Sequence, residues 1–155
     1  MNILIIYDSV FGNTEKIAQS IAVTLGTQAI SVSQADADQL RGLDLLVVGS
    51  PTRAFRPTEG ISKLLNSLPK NHLSELRVAA FDTRVVLETI DSKALRFMVD
   101  KGGYAAKTIA KSLVKKGGIL AAPAEGFFVS GEKGPLVEGE IERAANWGKK
   151  FLFTN

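Results

Sequence analysis

The fold is decided by the start of the chain, which reads Asn2-Ile3-Leu4-Ile5-Ile6-Tyr7 and continues as Asp8-Ser9-Val10-Phe11-Gly12-Asn13-Thr14. The apolar run predicts a buried strand over residues 2–7. An amphipathic helix is predicted over residues 14–25, because Ile17, Ile21 and Leu25 recur on one face. A strand that passes through a short polar loop into a helix gathers backbone N–H groups and hydroxyls at the positive end of the helix dipole. The sequence therefore predicts a phosphate-binding loop at residues 8–14.

Length and composition favour one globular domain, which we expect to span residues 1–155, with 45% of its residues hydrophobic. No apolar run approaches the roughly 18 residues of a membrane span. The first strand follows Met1 directly and leaves no room for a signal peptide. The absence of cysteine excludes disulfides and thiolate chemistry. We therefore expect a cytoplasmic protein.

The net charge of +3 is spread over scattered basic residues and pairs such as Lys115-Lys116. No aromatic residues interleave with them as an RNA-binding sheet would require. We therefore expect a solvated basic surface and no nucleic-acid partner. Asp36 and Asp38 lack further ligands nearby in the sequence, so we expect no metal site.

Strands and helices alternate along the rest of the chain. Further strands are predicted at residues 29–32, 43–49, 77–81 and from 119, with a continuation at 126–129. Further helices are predicted at residues 59–68, 104–116 and 138–153, and the least regular segment is 82–103. Apolar strands separated by amphipathic helices imply a doubly wound parallel sheet with helices on both faces. Ligands of such sheets bind beyond the carboxyl ends of the strands, which here means the loops 8–14, 50–58 and 82–103.

Each of the three loops has a functional and a structural interpretation. Ser9, Asn13 and Thr14 suit a phosphate, or they cap the helix. The second loop reads Ser50-Pro51-Thr52-Arg53-Ala54-Phe55-Arg56-Pro57-Thr58. Its Phe55 would stack on a planar ligand, or it folds back onto the core. The third loop begins Asp82-Thr83-Arg84, which suits the edge of a heterocycle or a turn that ends a strand.

Two common nucleotide motifs are missing from this pattern. The chain has no Gly-x-x-x-x-Gly-Lys-Ser/Thr motif for ATP or GTP, and no Gly-x-Gly-x-x-Gly follows the first strand. A phospho-receiver domain would carry an acceptor Asp at the end of the third strand, where this chain has Gly49-Ser50.

Taken together, the three loops resemble those of the flavodoxin family. Asp8-Ser9-x-Phe11-Gly12-Asn13-Thr14-Glu15-Lys16-Ile17-Ala18 is similar to the family's phosphate loop. Gly49-Ser50-Pro51-Thr52 resembles its second loop, and Phe81-Asp82-Thr83-Arg84 stands at the place of its third. The resemblance covers essentially the whole chain. It implies an α/β, flavodoxin-like doubly wound parallel sheet of five strands in the order 2-1-3-4-5.

The resemblance also implies FMN as the cofactor and assigns residues to it, none of them catalytic. The phosphate would be held by Ser9, Val10, Phe11, Gly12, Asn13 and Thr14. The ring would lie against Ser50, Pro51, Thr52, Arg53, Ala54 and Phe55, with Phe55 as the aromatic on its inner side. Asp82 and Thr83, followed by Arg84, would reach the pyrimidine edge of the ring.

Three functions stay open. An electron carrier between redox partner proteins is favoured over a stand-alone enzyme. An FMN-dependent reductase of NAD(P)H or quinone type is suggested by Arg53 and Arg56 beside the ring. A flavodoxin-fold module without flavin is suggested by Phe11, which stands where family members carry Thr or Ser. The basic charge also differs from the acidic charge usual in carrier flavodoxins.

Overall fold

The computed structural model describes residues 1–86, 93 and 104–153. Its strands are β1 (Ile3–Tyr7), β2 (Ala29–Ser31), β3 (Leu45–Pro51), β4 (Arg77–Val85), β5 (Ile119–Leu120) and β6 (Glu125–Val129). Its helices are α1 (Asn13–Leu25), α2 (Glu59–Ser67), α3 (Ala105–Lys115) and α4 (Glu140–Lys149). Short 3-10 turns follow at Val32–Gln34, Asp38–Leu40 and Lys150–Leu152.

The strands form a parallel sheet in the order β2-β1-β3-β4-β5, with β6 also beside β4. β5 pairs with the start of β4, where Arg77 faces Ile119, and β6 pairs with its end, where Phe81 faces Glu125. β5 and β6 therefore share the fifth position of the sheet and are separated by residues 121–124. The predicted order 2-1-3-4-5 is confirmed, as is the interruption of the fifth strand.

Each face of the sheet is covered by helices and has its own apolar core. α1 and α4 cover the face on which four aromatic side chains meet edge to face, with ring centroids 4.9–6.2 Å apart: Phe81, Phe127, Trp147 and Phe151. α2 and α3 cover the other face, whose buried core is aliphatic in the described residues. Burial on both faces explains why the strands are almost continuously apolar.

Gly49 near the end of β3 is required by this aromatic packing. A β carbon at Gly49 would lie 2.0 Å from the ring of Phe81, its partner on β4. The absent side chain admits the ring, which is fully buried. Ser50 and Pro51 then continue β3 toward the carboxyl edge of the sheet.

The predicted end of the fourth strand at Phe81 was wrong. β4 continues to Val85 because β6 lies alongside it over this length and completes its hydrogen bonding. Asp82, Thr83 and Arg84 therefore lie in a strand and not in a loop. The rest of the predicted irregular segment, residues 87–103 apart from Lys93, lies outside the described residues.

No helix in the described part of the chain is long and apolar enough to cross a membrane. Among the same residues, no group of three or more His, Cys, Asp or Glu side chains is arranged to hold a metal ion.

Candidate functional site

A cleft of about 500 Å³ lies at the carboxyl edge of the sheet. Of the predicted site residues it is lined by Val10, Phe11, Asn13, Thr14, Pro51, Thr52, Arg53, Ala54, Thr83 and Arg84. Val85, Val129 and Glu132 complete its wall and were not predicted. The structure thus brings the three sequence segments together at one place. The other predicted residues, Ser9, Gly12, Ser50, Phe55 and Asp82, are not among the described residues that line it.

The loop before α1 leaves several backbone donors available. Gly12 is the N-cap residue of α1 and has a φ of 93°. Because it is a glycine, no side chain at this position caps the helix. The Ser9 hydroxyl oxygen accepts from the N–H groups of Gly12 at 3.1 Å and Glu15 at 3.4 Å. Within the described residues, no acceptor lies on the backbone N–H groups of Val10, Phe11, Asn13 and Thr14. Free N–H groups at the positive end of a helix form an anion site.

The side chains of Asn13 and Thr14 make hydrogen bonds that connect the segments around the cleft. Both are buried. Thr14 Oγ1 lies 2.8 Å from Thr83 Oγ1 on β4, and Asn13 Nδ2 donates to the Lys133 carbonyl at 3.1 Å. Their hydroxyl and amide groups therefore join β4 and the segment after β6 to the start of α1. The predicted contact of these two residues with a phosphate rests on their backbone N–H groups.

The segment after β6 belongs to the site and was missed by the sequence reasoning. It reads Ser130-Gly131-Glu132-Lys133-Gly134-Pro135. Gly134 has a φ of 98°, and a β carbon there would lie 2.6 Å from the amide of Asn13, so a glycine permits this close approach. The position of this segment could have identified it as part of the site. It is rich in glycine and follows a strand that ends at the same edge of the sheet.

The second loop forms a tight turn. The N–H and carbonyl groups of Arg53 and Arg56 bond to each other at 2.7 and 2.9 Å. Ala54 and Phe55 between them have φ values of 48° and 69°, which are strained for residues other than glycine. The buried Ser50 hydroxyl closes the base of the loop, since it accepts from the Thr58 N–H at 2.9 Å and donates to the neighbouring carbonyl.

The aromatic residue at the cleft is Phe11. Its side chain is 42% exposed, whereas Phe55 is half-buried beyond the lining. The guanidinium of Arg53 lies 5.6 Å and the ammonium of Lys133 6.0 Å from the Phe11 ring centroid. Arg53 also approaches Glu132 at 3.8 Å. Two cations and an exposed ring therefore form the rim of the cleft. The stacking role predicted for Phe55 stays a prediction.

Asp82 is completely buried under the cleft and is bonded within the protein. Arg84 donates to its two carboxylate oxygens at 2.7 and 2.8 Å, and the Ala106 N–H donates at 2.9 Å. Burial raises the pKa of Asp82, and the bonds from Arg84 and Ala106 oppose that rise. The carboxylate thus sits at the N-terminus of α3, where the helix dipole favours a negative charge. Its predicted contact with a ligand stays a prediction.

Two neighbours extend this buried network to the cleft wall. The Thr52 hydroxyl accepts from the Ala105 N–H at 3.1 Å, and it also bonds to Asp82. The guanidinium of Arg84 lies 3.7 Å from the ring centroid of Tyr104, at the N-cap of α3. Thr52, Asp82 and Arg84 therefore fix the start of α3 against the ends of β3 and β4.

A second buried carboxylate, that of Glu140, lies at the start of α4. Glu140 accepts from the Phe128 N–H at 2.7 Å and from Arg143 at 2.7 and 2.8 Å. Burial disfavours its charged form, but Arg143 and the Phe128 N–H outweigh burial and lower the pKa of Glu140. Arg143 also bonds to the Gly126 carbonyl. This cluster ties α4 to β6, the strand that leads into residues 130–135.

Known proteins resemble this chain in their sequence pattern and in their fold. A family model described as a flavodoxin domain matches residues 4–121. A search of curated protein sequences found no match. Flavodoxin 2 from Bacillus cereus, in its oxidised form, is similar with a TM-score of 0.74 and 21% identity, over 98% of each chain.

Two further solved structures share the fold. A flavodoxin from the domain Archaea has a TM-score of 0.71 and 20% identity, over 96% of this chain and 94% of that one. Rubredoxin oxygen:oxidoreductase from Desulfovibrio gigas has a TM-score of 0.71 and 17% identity, over 96% of this chain and 34% of that one. With the family model covering most of its length and the sheet order expected of that fold, the chain belongs to the flavodoxin domain family.

Proposed function

We propose that this protein binds FMN in the cleft and carries electrons between redox partner proteins. The observation that carries the proposal is the group of backbone N–H donors at Val10, Phe11, Asn13 and Thr14, at the positive end of α1. They lie on a cleft of about 500 Å³, within the range of small-molecule sites. A cysteine-free chain also suits the cytoplasmic setting we propose for it.

The residues present fit FMN as a ligand. The free N–H groups supply donors for a phosphate without any lysine, as other helix N-termini do. Pro51, Thr52 and Ala54 supply a wall beside which a planar ring has room. The Asp82–Arg84 pair and the Thr14–Thr83 hydrogen bond keep this wall in place. FMN, when bound, supplies the electron-transfer chemistry; the protein binds it, orients it and limits its exposure to water.

The solved structures that share this fold support a redox role by analogy. They include an oxidised flavodoxin and an oxygen:oxidoreductase, each described as such by its own study. Fold alone permits other functions, so the proposal depends on the cleft and on flavin binding.

A reductase is the second candidate, and the rim of the cleft favours it. Arg53 and Lys133 place two cations beside the exposed ring of Phe11. Such a rim suits a substrate with a planar ring and a negative charge. NAD(P)H has both, since it carries a nicotinamide ring and phosphates. Anaerobic addition of NADPH to FMN-loaded protein separates the candidates. Prompt bleaching of the visible spectrum favours a reductase, and bleaching only after a reduced partner protein is added favours a carrier.

The binding test compares FMN with riboflavin by quenching of flavin fluorescence. We expect micromolar or tighter binding of FMN and at least tenfold weaker binding of riboflavin, which lacks the phosphate. If neither flavin binds at micromolar concentration, the proposal is wrong and the flavin-free module is favoured. If both bind equally, the phosphate site at the start of α1 is wrong.

Two matched glycines sharpen this test. Gly12 and Gly139 precede α1 and α4 with nearly the same backbone angles, φ 93° and 90° with ψ −8° in both, and a β carbon at either would meet no atom within 4 Å. Gly12→Ala and Gly139→Ala should therefore strain the backbone to a similar degree. Only Gly12→Ala should weaken FMN, by at least fivefold, because only Gly12 shapes the proposed phosphate loop. Equal FMN affinities in the two variants would contradict the assignment.

A further inference from the structure

A second cavity, of about 480 Å³, lies on the outside of the sheet between α3 and β5. We call it the α3–β5 groove. Its floor is apolar and consists of Ala110, Val114, Leu120 and Ala124. Val114 is 47% and Leu120 42% exposed, and the adjacent Ile119 is 56% exposed. Large aliphatic side chains exposed together on one surface are a feature of interaction sites.

The rim of the groove is basic. Lys107, Lys111 and Lys115 line it at four-residue spacing, so they lie along one side of α3 over about 12 Å. Among the described residues, none of these three side chains has a carboxylate within 4.0 Å or a hydrogen-bond partner. α3 itself contains no acidic residue.

Lysines at four-residue spacing do not stabilise a helix through pairing with each other, although Lys115 in the last turn suits the helix dipole. Like charges four residues apart on a helix repel each other and lower helix stability. Lysines placed to stabilise α3 would alternate with Glu or Asp, as Lys63 does with Glu59 on α2 at 3.1 Å. The three lysines therefore have no partner carboxylate in the part of the chain that the structure describes.

From the apolar floor and the unpaired basic rim, we propose that the α3–β5 groove docks an acidic amphipathic helix of a partner protein. Aliphatic side chains of that helix would fill the floor, and carboxylates spaced three or four residues apart would meet the lysines. A membrane surface is disfavoured because the apolar side chains line a groove, whereas a helix that binds a membrane surface presents them on a continuous face. Nucleic acid is disfavoured because an apolar floor offers nothing to phosphates.

The groove and the cleft are separate sites. β5 pairs with the start of β4 at Arg77 and Val78, whereas the cleft lies at its end, where Thr83 and Val85 line the wall. A helix held in the groove would therefore leave the cleft accessible. Docking in the groove does not require flavin binding, so the groove would take its partner equally in a carrier, a reductase or a flavin-free module.

The test measures binding of labelled peptides to the full chain by fluorescence anisotropy. The probes are a set of acidic amphipathic peptides of about four helical turns. Each has Leu on one face and Glu beside that face, and the peptides differ in the positions of Glu relative to Leu. We expect at least one to bind at micromolar concentration and to bind at least tenfold more weakly in high salt, where charges are screened. Peptides with Lys in place of Glu serve as the charge control, and anionic vesicles and duplex DNA as the competing ligands.

Two sets of variants locate the binding. The triple change Lys107→Glu, Lys111→Glu and Lys115→Glu should reduce peptide affinity at least tenfold, and so should Leu120→Ser. The matched control reverses the same number of exposed charges elsewhere, at Lys63, Lys70 and Lys149. The control variant should bind the peptide within about twofold of the wild-type affinity. Any loss in it measures the effect of the changed net charge alone.

Several outcomes would overturn the proposal. These are failure of every acidic peptide to bind, equal loss of binding in both triple variants, or preference of the groove for vesicles or DNA. The FMN titration of the same variants keeps this test apart from the proposed function. Loss of peptide binding with normal FMN affinity supports the groove alone, and peptide binding without FMN binding removes only the flavin proposal.

Discussion

Residues 9–14 and residues 82–84 both place polar groups at the carboxyl edge of the sheet. Their hydrogen bonding differs, because the first segment leaves donors unpaired and the second is bonded within the protein. In the loop before α1, the described structure leaves four backbone N–H groups without an acceptor. On β4, the Asp82 carboxylate is bonded to Arg84 and to the start of α3, and no part of it is exposed. One segment is available to a ligand, and the other is committed to the protein.

The difference follows from the backbone. A helix N-terminus always has N–H groups that the helix itself cannot satisfy, so a loop leading into a helix keeps them for an outside acceptor. A strand between two neighbours has no such surplus, and its inward side chains must find partners inside the protein. Polar residues at the same edge of a sheet therefore differ in function according to the element that carries them. Three predictions test this distinction, and a fourth concerns Glu140, another buried carboxylate that is bonded within the protein.

The largest effect is expected from Asp82→Ala. It leaves the guanidinium of Arg84, whose side chain is 19% exposed, without its carboxylate and removes the acceptor of the Ala106 N–H. Removing one partner of a buried pair typically destabilises a protein by about 3–5 kcal/mol. Equilibrium unfolding in urea should show a loss of this size in the free energy of unfolding.

The control for this prediction is an ion pair of the same type on the surface. Asp38→Ala separates Asp38 from Arg41, whose side chains are 89% and 71% exposed, and it should barely change the unfolding midpoint. A similarly small change in Asp82→Ala would contradict the structural role assigned to Asp82.

The order of the sheet could be predicted because it depends on patterns that are local in sequence. Apolar runs, helical periodicity and glycine stops identify each element, and right-handed crossovers then leave few arrangements. The end of β4 could not be predicted, because its extension to Val85 depends on pairing with β6, more than forty residues away along the chain. A polar triplet such as Asp82-Thr83-Arg84 is typical of a loop until a neighbouring strand is known to lie beside it.

The site could be predicted in its first loop and only in part beyond it. A strand, a glycine and a helix follow one another within one short stretch before and at the start of α1. The geometry of this loop therefore depends only on residues that are adjacent in sequence. The choice of Phe55 as the aromatic beside the ring could not take account of the turn formed by Arg53 and Arg56, and Phe11 lines the cleft while Phe55 does not. Glu132 and Lys133 contribute to the cleft because Asn13 donates a hydrogen bond to the Lys133 carbonyl. No pattern of neighbouring residues predicts this long-range bond.

A smaller effect, with a distinct pH dependence, is expected from Glu140→Gln. Glu140 has a pKa below its ordinary value of 4.5 when the protein is folded. A lowered pKa contributes stability that is fully present above the ordinary pKa and is lost as the pH falls through the folded pKa. The substitution should therefore reduce the free energy of unfolding by about 2 kcal/mol at neutral pH, the worth of a charged hydrogen bond, and by progressively less in acid.

Urea unfolding of both proteins between neutral and acidic pH measures this convergence. Glu142→Gln on the exposed side of α4 is the control and should leave the difference between neutral and acidic stability unchanged. A constant gap between wild type and Glu140→Gln at every pH would show that Glu140 contributes by packing and not by its charge.

The hydrogen bond between Thr14 and Thr83 joins the two compared segments and should contribute about 1 kcal/mol. Thr14→Val and Thr83→Val each leave a buried hydroxyl without its partner at 2.8 Å, whereas the double variant removes both hydroxyls. The double variant should therefore lose less stability than the sum of the single variants, by about 1 kcal/mol in a double-mutant cycle. Strictly additive losses would mean that the two hydroxyls are not energetically coupled.

The smallest effect on stability, and the sharpest test of the open segment, is expected from Phe11→Ser. Phe11 is 42% exposed, so its replacement should change the free energy of unfolding by no more than about 0.5 kcal/mol. A serine here adds a hydroxyl next to the unpaired N–H groups, and one more net hydrogen bond of about 1 kcal/mol corresponds to about fivefold tighter FMN binding.

Riboflavin is the control within this last measurement, because it shares the ring of FMN and lacks the phosphate. Loss of the Phe11 ring also removes its contacts with Arg53 and Lys133, and that change falls on both flavins alike. The ratio of FMN to riboflavin affinity therefore isolates the phosphate. A rise in this ratio means that residues 9–14 face the phosphate, whereas an unchanged ratio means that the phosphate does not lie beside position 11.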